Sequence, residues 1–385
     1  MSVAESGKKT VSWKSVAFQT IMFGGLVATG LSMVAFVAAF NPAIDLFSHF
    51  RWQYAVLLGV AALVAWWGKR TRYLTTFSIA SILNAGVVLS LWYPANVPPL
   101  PEAHSTLNIL DMNVYYGNTH YKNVAAEIGK YSADVVVIEE LTCEMLYALQ
   151  PALTAFPYRV VNVENKCWGI GIFSRHKLLN CSDNPLALPQ PNVISADIEL
   201  DSGNVTLEAI HTAPRYSRMA VDTDRLLVER LKKRNGDLKT PIILVGDFNA
   251  TPWSDLFRNL SGTANFFDSE QGCGPALSWP VGVPILALPI DHCLYDRKWR
   301  TAQRRLGSAM GSDHLPLYIQ LEIPHEQTCK PDLACPNDRS ISKSEMPKDE
   351  FEESGKFSSG QRERFRVAVR ARPSTPVPGP HIEKY

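Results

Sequence analysis

Five short stretches of this chain end in side chains able to do polar chemistry. Leu110-Asp111-Met112-Asn113-Val114 delivers an asparagine, and Asp134-Val135-Val136-Val137-Ile138-Glu139-Glu140-Leu141 ends in two carboxylates. Ala209-Ile210-His211-Thr212-Ala213-Pro214 ends in a histidine, and Ile243-Leu244-Val245-Gly246-Asp247-Phe248-Asn249 ends in Asp-x-Asn. The last is a pair, Ile290-Asp291-His292 and Gly311-Ser312-Asp313-His314-Leu315-Pro316. Carboxylate and amide oxygens suit a hard cation such as Mg²⁺ or Mn²⁺. No Cys/His cluster argues for zinc. An acidic side chain beside such a cation can orient an attacking water. A protonated histidine can stabilise charge building on a phosphoryl group or protonate a leaving oxygen.

Singly, each stretch has a plain alternative. An asparagine after a strand is usually a turn residue, a lone histidine is usually structural, and Glu139-Glu140 reads equally as a solvated strand end. The set is more specific. Gly-Asp-x-Asn after four apolar residues and Ser-Asp-His-x-Pro near a domain end rarely coincide. Asp255 and Asp268 have no such neighbours and are expected as surface residues.

The elements that would present these residues follow from period and turn chemistry. Leu107 to Met112 is strand-like, Val124 to Tyr131 has helical spacing, and Asp134 to Ile138 is a short apolar strand. Ile170 to Phe173 is another strand. Val193 to Leu200 and Val205 to Ile210 form a hairpin around Asp201-Ser202-Gly203-Asn204. Ser217 to Arg234 is a basic amphipathic helix, Pro241 to Val245 a buried strand, and Leu294 and Leu317 to Ile323 fall in late strands. Mixed strands with intervening helices predict sheets covered by helices.

The chain has 385 residues and a net charge of +1, which hides a strong asymmetry along it. Residues 1–93 are apolar and nearly free of acids, 94–105 form a Pro-rich linker, 106–323 read as the globular domain, and 324–385 as a disordered polar tail. Ala17 to Phe40, Trp52 to Gly68 and Tyr73 to Tyr93 carry the apolar length of membrane-spanning helices. Ser78, Ser81 and Asn84 can bond across helix contacts. Lys8, Lys9 and Lys14 precede the first span, and Lys69, Arg70 and Arg72 fill the loop before the third. By the positive-inside rule those segments are cytoplasmic and everything after Tyr93 lies on the outer face. The spans are expected to be a tether, with no ion path through them. The seven cysteines include no CxxC pair. Cys143, Cys167, Cys181, Cys273 and Cys293 could pair in an oxidising compartment, as could Cys329 with Cys335, or all could be free thiols.

In order and content these motifs resemble the endonuclease/exonuclease/phosphatase superfamily, which includes DNase I, abasic-site endonucleases, inositol-polyphosphate phosphatases and sphingomyelinases. The resemblance covers Thr106 to Ile323. It implies a four-layer α/β sandwich behind three transmembrane helices, Mg²⁺ with Mn²⁺ as an alternative, and a phosphate-ester substrate that is a lipid, a sugar phosphate or a nucleic acid. It implies Glu140 as metal ligand with Asn113 and Asp313 beside the metal, Glu139 standing where the family often has Gln. It implies Asp247 on the attacking water, Asn249 on a phosphate oxygen, Asp291 orienting His314, and His211 on the phosphate or as general acid. Tyr115 stands where abasic-site enzymes carry an acid, which turns the comparison away from that branch. Arg175 follows a strand whose end often lies near the family's cleft.

The expectation is therefore a multi-pass phosphoesterase of a bacterial inner membrane, its catalytic domain on the periplasmic or extracellular side, with no obligate protein partner. An endonuclease acting on nucleic acid outside the cytoplasm is the alternative, favoured by the basic residues Arg215, Arg218, Arg225, Arg230, Lys232, Lys233 and Arg234. A catalytically inactive scaffold would lack Glu140, Asp247, Asn249 or His314, and all four are present.

Overall fold

The computed structural model describes residues 12–37, 42–94, 104–163, 168–186, 192–214, 218–237, 240–295 and 299–324. The linker prolines at 98, 99 and 101, the tail from 325 onward, Arg215, Cys167, Cys329 and Cys335 lie outside these residues.

Three apolar helices open the chain: α1 (Trp13–Phe36), α2 (Arg51–Trp67) and α3 (Thr71–Leu89). Each of the stretches Trp13–Phe36, Ile44–Trp67 and Thr71–Trp92 is long and apolar enough to cross a membrane. They pack through Leu58, Ala61, Ala65, Phe77 and Ala80. Gly25 of α1 faces the Phe77 ring so closely that a Cβ there would collide with it. Ser81 Oγ donates across the α3–α2 contact to Ala55 O at 2.7 Å. Arg51 is buried, with both terminal guanidinium nitrogens engaged. Its guanidinium donates to Ala35 O at 2.8 Å and Asn84 Oδ1 at 3.1 Å and lies 3.9 Å over the Phe36 ring. A cation there meets the unsatisfied carbonyls and negative dipole end of α1.

The remaining elements are β1 (His104–Asn113), α4 (Tyr121–Lys130), β2 (Val135–Glu139), α5 (Cys143–Leu149), β3 (Tyr158–Asn162), β4 (Ile170–Ser174), β5 (Leu178–Ser182), β6 (Asn192–Leu200), β7 (Gly203–His211), α6 (Arg218–Asp237), β8 (Ile242–Asp247), α7 (Asp255–Thr263), β9 (Phe267–Asp268), β10 (Asp291–Tyr295), β11 (Arg300–Leu306) and β12 (Leu317–Pro324). Among the described residues they form two six-stranded sheets, ordered β11-β12-β1-β2-β4-β3 and β5-β6-β7-β8-β10-β9. Alternate side chains of β1, β2, β4, β7, β8 and β12 meet between the sheets, where Leu107, Ile109, Val137, Ile172, Leu207, Val245 and Ile319 are buried. Burying each such aliphatic contributes about 1.5–3 kcal/mol. The opposite face of the first sheet packs under α4 and α5 through Ile128, Met145 and Leu149. That of the second packs under α6 and α7 through Leu227, Leu231, Phe257 and Leu260. The result is a four-layer α/β/β/α sandwich.

Two helices absent from the sequence reading start on side-chain caps. Thr142 Oγ1 accepts Met145 N at 3.2 Å to begin α5, and Ser254 Oγ accepts Phe257 N at 3.4 Å to begin α7. Such a cap satisfies an orphan first-turn amide.

The tether expectation is too loose, because the bundle is docked on the sandwich. His49 Nδ1 receives Thr251 N at 3.2 Å, and Asp45 Oδ1 receives Asp255 N at 2.9 Å. Trp52 Nε1 and Gln53 Nε2 both donate to Ala287 O, at 2.7 and 3.3 Å. Leu91 O accepts Gly272 N at 2.7 Å. Trp253 of the sandwich is buried against Val88, Leu91 and Trp52.

Candidate active site

Strand register brings the five motifs to one edge of the sandwich. In the first sheet β1 and β2 run parallel with Asn113 opposite Glu139. In the second, parallel pairing puts His211 opposite Asp247, and antiparallel pairing puts Asp291 opposite the same Asp247. The loop before β12 adds Asp313 and His314. Ser312 ties that loop down, donating to Asn113 O at 2.7 Å and accepting His314 N at 3.0 Å.

Local backbone geometry is unusual here. Glu140 has φ +55°, Asn249 φ +46° and Tyr115 φ +58°, all in the left-handed region. Non-glycine residues occupy that region at a cost and only where their surroundings hold them there. Gly246 has φ +137°, and a Cβ on it would strike Ile210 O and the Glu139 carboxylate. The Gly of Gly-Asp-x-Asn therefore serves both conformation and close approach.

The two adjacent glutamates separate into different roles. Glu139 turns inward and is fully buried against Asp111, and among the described residues no other side chain or amide donates to either carboxyl. Burial, reinforced by the Asp291 charge at Asp111 and by the Asp111 charge at Glu139, pushes both well above the usual carboxylate range. Two adjacent buried carboxyls cannot both ionise, so the pair keeps a proton. Glu140 turns to the cleft. Its Oε1 accepts Asn113 Nδ2 at 3.1 Å and its Oε2 accepts Tyr116 N at 3.0 Å.

Asp247 Oδ2 is the hub. Asn113 Nδ2 donates to it at 3.1 Å, and His211 Nε2 and His314 Nε2 stand 3.8 and 3.7 Å away. Its Oδ1 accepts Asn249 N at 2.7 Å. Asn249 Nδ2 also donates to Thr212 O at 2.9 Å, which fixes the amide plane. His314 Nδ1 meets Asp291 Oδ2 at 2.9 Å and Oδ1 at 3.1 Å.

These neighbours divide the protonation states. Burial alone would push His314 down, but the Asp291 and Asp247 carboxylates outweigh it and hold its imidazolium up to about 10. Burial would raise Asp291, but the His314 pairing holds it below the usual range. Burial, opposed by His314, pushes Asp247 up to about 7. His211, buried and beside the His314 charge, is pushed down to about 4. At neutral pH one histidine is charged, the other is neutral, and Asp247 is poised between acid and base.

Asp247, Asp291 and His314 offer ligand atoms within 4.8 Å of one another. A protonated imidazole cannot ligate a cation, however, so His314 fits poorly as a ligand. The donor set that fits is the hard oxygens of Glu140 and the Asn113 amide bonded to it, a composition suited to Mg²⁺ or Mn²⁺. Asp313 stands at the rim, its Oδ2 accepting Trp279 Nε1 at 2.8 Å. Its charge acts on both Glu140 and His314.

All eight sequence-derived site residues thus come together. Several other expectations need correction. Ser174 pairs with Val135 at the start of β2, so the end of β4 faces away from the site. Arg175 is engaged there with Ala133 O at 2.7 Å and the Phe156 ring. Arg234, counted in the basic helix face, turns inward to pair with buried Glu208 and with Ser195 Oγ. Asp255 opens α7 and pairs with Arg258 and Asn259. Asp268 joins an internal group with Glu270, His292 and Arg304, in which Arg304 Nη2 donates to Glu270 Oε1 at 2.9 Å and to Asp291 O at 3.0 Å. Of the two cysteine readings left open, the free-thiol one holds for Cys143, Cys181, Cys273 and Cys293.

The sequence reading missed the aromatic rim. Trp168 stacks near His211 with centroids 5.2 Å apart, Trp279 lies 6.4 Å from His314, and Tyr115 and Tyr116 project from the loop after β1. None sits in a motif. Only the contacts reveal them.

Residues 112–314 match the model of the endonuclease/exonuclease/phosphatase family. No curated protein matches the chain. Among solved structures, the chain is similar to an endonuclease/exonuclease/phosphatase from Bacteroides vulgatus, 15% identical over 57% of this chain and 99% of that one, with a TM-score of 0.49. A family protein from Bacteroides thetaiotaomicron is 16% identical over 57% and 96%, with a TM-score of 0.48. The human nocturnin catalytic domain with bound sulfate is 19% identical over 57% and 97%, with a TM-score of 0.46. With two mixed sheets, five motifs converging on one edge and more than half its length matched by one family model, the chain belongs to the endonuclease/exonuclease/phosphatase family of phosphate-ester hydrolases.

Proposed function

We propose that the protein is a membrane-anchored, Mg²⁺-dependent phosphoesterase that attacks its substrate with water. The observation that carries this reading is the placing of Asp247 Oδ2, with Asn113, His211 and His314 all directed at it. Asp247 takes the proton of the attacking water, which its raised pKa favours near neutral pH. His314, kept charged by Asp291, supplies positive charge to the phosphoryl oxygens. His211 is neutral and donates from a ring nitrogen to phosphate or to the leaving oxygen. Asn249 lies against the same carboxylate and is assigned to a phosphate oxygen. Glu140, with Asn113 and Asp313 beside it, would hold Mg²⁺, or Mn²⁺ in its place. A cation there neutralises charge on the phosphoryl group. The rest of the reaction is positioning by the chain.

The helices α1 to α3 support anchoring in a bacterial inner membrane. The Lys and Arg distribution supports an outer-face position for the site. Hydrolysis of bis(p-nitrophenyl) phosphate and p-nitrophenyl phosphate by the full-length protein, with Mg²⁺ and with EDTA, tests the activity. Turnover that EDTA removes and Mg²⁺ restores is expected. Absence of turnover and of cation binding would leave only a scaffold.

A further inference from the structure

The hairpin of residues 279–288 joins the active site to the membrane bundle. At its base Trp279 pairs with Leu288, Trp279 Nε1 donates to Asp313, and Val281 N donates to Asp313 O at 2.8 Å. One residue from that base, Ala287 O accepts both Trp52 and Gln53 from the first turn of α2. Paired Cα atoms lie about 5 Å apart and consecutive ones about 3.8 Å, so Trp279 at the rim of the site stands roughly 9 Å from Ala287, whose carbonyl the side chains of that turn reach.

The level of that turn in the bilayer follows from length. α2 has 17 residues, about 25 Å of helix, against a hydrocarbon core of roughly 30 Å. With Trp66 and Trp67 at one boundary, Trp52 and Gln53 lie at the other. The headgroup layer beyond it is only about 5–8 Å deep. That turn, and with it Ala287 at the base of the hairpin that carries the rim, is therefore at headgroup height.

The hairpin's tip fits that position. Val283, Ile285 and Leu286 are 43%, 62% and 52% exposed. Among the described residues after Pro94, these are the exposed large aliphatic side chains; the other exposed large hydrophobics there are Tyr115, Tyr116 and Tyr147. Three aliphatics on one short turn, beside helices that cross a membrane, match a surface that inserts into lipid rather than one facing water.

We propose that the substrate is the phosphate ester of a lipid headgroup in the same bilayer that holds α1 to α3, and that Val283, Ile285 and Leu286 set the site into that surface. The proposal rests on the phosphoesterase reading and adds the substrate class to it. A soluble phosphate ester or a nucleic acid would gain nothing from this tip.

The test uses the full-length protein in nanodiscs containing long-chain phosphatidic acid or phosphatidylglycerol, a bilayer monoester and a bilayer diester. Dihexanoyl forms of both lipids and bis(p-nitrophenyl) phosphate serve as soluble controls. Hydrolysis of a long-chain lipid is expected, and the double substitution Ile285→Asp/Leu286→Asp should lower it about tenfold or more. Hydrolysis of bis(p-nitrophenyl) phosphate should stay unchanged. A dye on Ile285→Cys, in a background lacking the native cysteines, should be quenched by bromine-labelled lipid. Turnover of bis(p-nitrophenyl) phosphate with no turnover of either long-chain lipid overturns the substrate class while leaving the phosphoesterase reading intact. An unquenched dye, or equal loss on soluble and bilayer substrates, overturns the role of the tip. No turnover of any ester removes the phosphoesterase reading itself.

Discussion

His314 and Asp291 form a buried ion pair, Nδ1 to Oδ2 at 2.9 Å, with the other ring nitrogen 3.7 Å from Asp247. The partnership charges one histidine of the site while its neighbour His211 is driven neutral. Most of the predicted chemistry follows from that division.

Replacing Asp291 with asparagine keeps the shape and removes the charge that holds the imidazolium. We expect kcat to fall by roughly 10²–10⁴ and the alkaline limb of the pH–rate profile to move down from about 10. The same pair bears on stability. The folded pKa of His314 is raised above that of the unfolded chain, so its contribution is complete below about 6.5 and is lost as pH rises through about 10. Denaturant midpoints that decline over that range for the natural protein, and less steeply for His314→Gln, would agree. A flat comparison would contradict the pairing.

Asp247 as base predicts an acid limb near pH 7. The variant Asp247→Asn should lose that limb together with most of the rate, about 10²-fold or more. A variant that retains the limb assigns it to another group.

The two adjacent glutamates give a paired prediction. Glu140→Gln should weaken Mn²⁺ binding in a calorimetric titration, with activity restored in part by higher Mg²⁺. Glu139→Gln should leave cation affinity unaltered. Because the folded pKa values of Glu139 and Asp111 are raised, their pair favours folding at low pH and is lost as pH rises. Glu139→Gln should therefore flatten the stability profile on the alkaline side. Equal effects of both substitutions on cation affinity would contradict the separation seen in the fold.

Docking of the bundle on the sandwich also has an energetic consequence. Trp253 is buried where α3 meets the loop before α7. Trp253→Ala should cost about 3–5 kcal/mol. Thermal unfolding of the full-length protein in detergent would show it as a lowered midpoint, and an unchanged midpoint would mean that the two parts unfold independently.

Much of this was legible in the residues. The apolar strands β1, β2, β4 and β8 announce themselves because they are buried on both faces, and Asn113, Glu140 and Asp247 stand at the ends of three of them. The order of motifs identified the site because strand ends in a parallel pair share one edge. What remained hidden depends on long-range contacts. β3, β5 and β11 are short or half-exposed and carry little periodicity. α5 and α7 begin on single Thr and Ser caps that resemble ordinary loop residues. Asp268 reads as a surface acid until Arg304, from another strand, is brought to it. Trp279 and Ala287 acquire meaning only when the hairpin that holds them meets Asp313 on one side and Trp52 on the other.

The most direct measurement is the rate of bis(p-nitrophenyl) phosphate hydrolysis by full-length protein with Mg²⁺, beside Asp247→Ala and His314→Ala prepared in the same way. The account predicts turnover that EDTA abolishes and that each substitution lowers by at least about 10². Turnover that survives both substitutions would place the chemistry elsewhere on the molecule and contradict it.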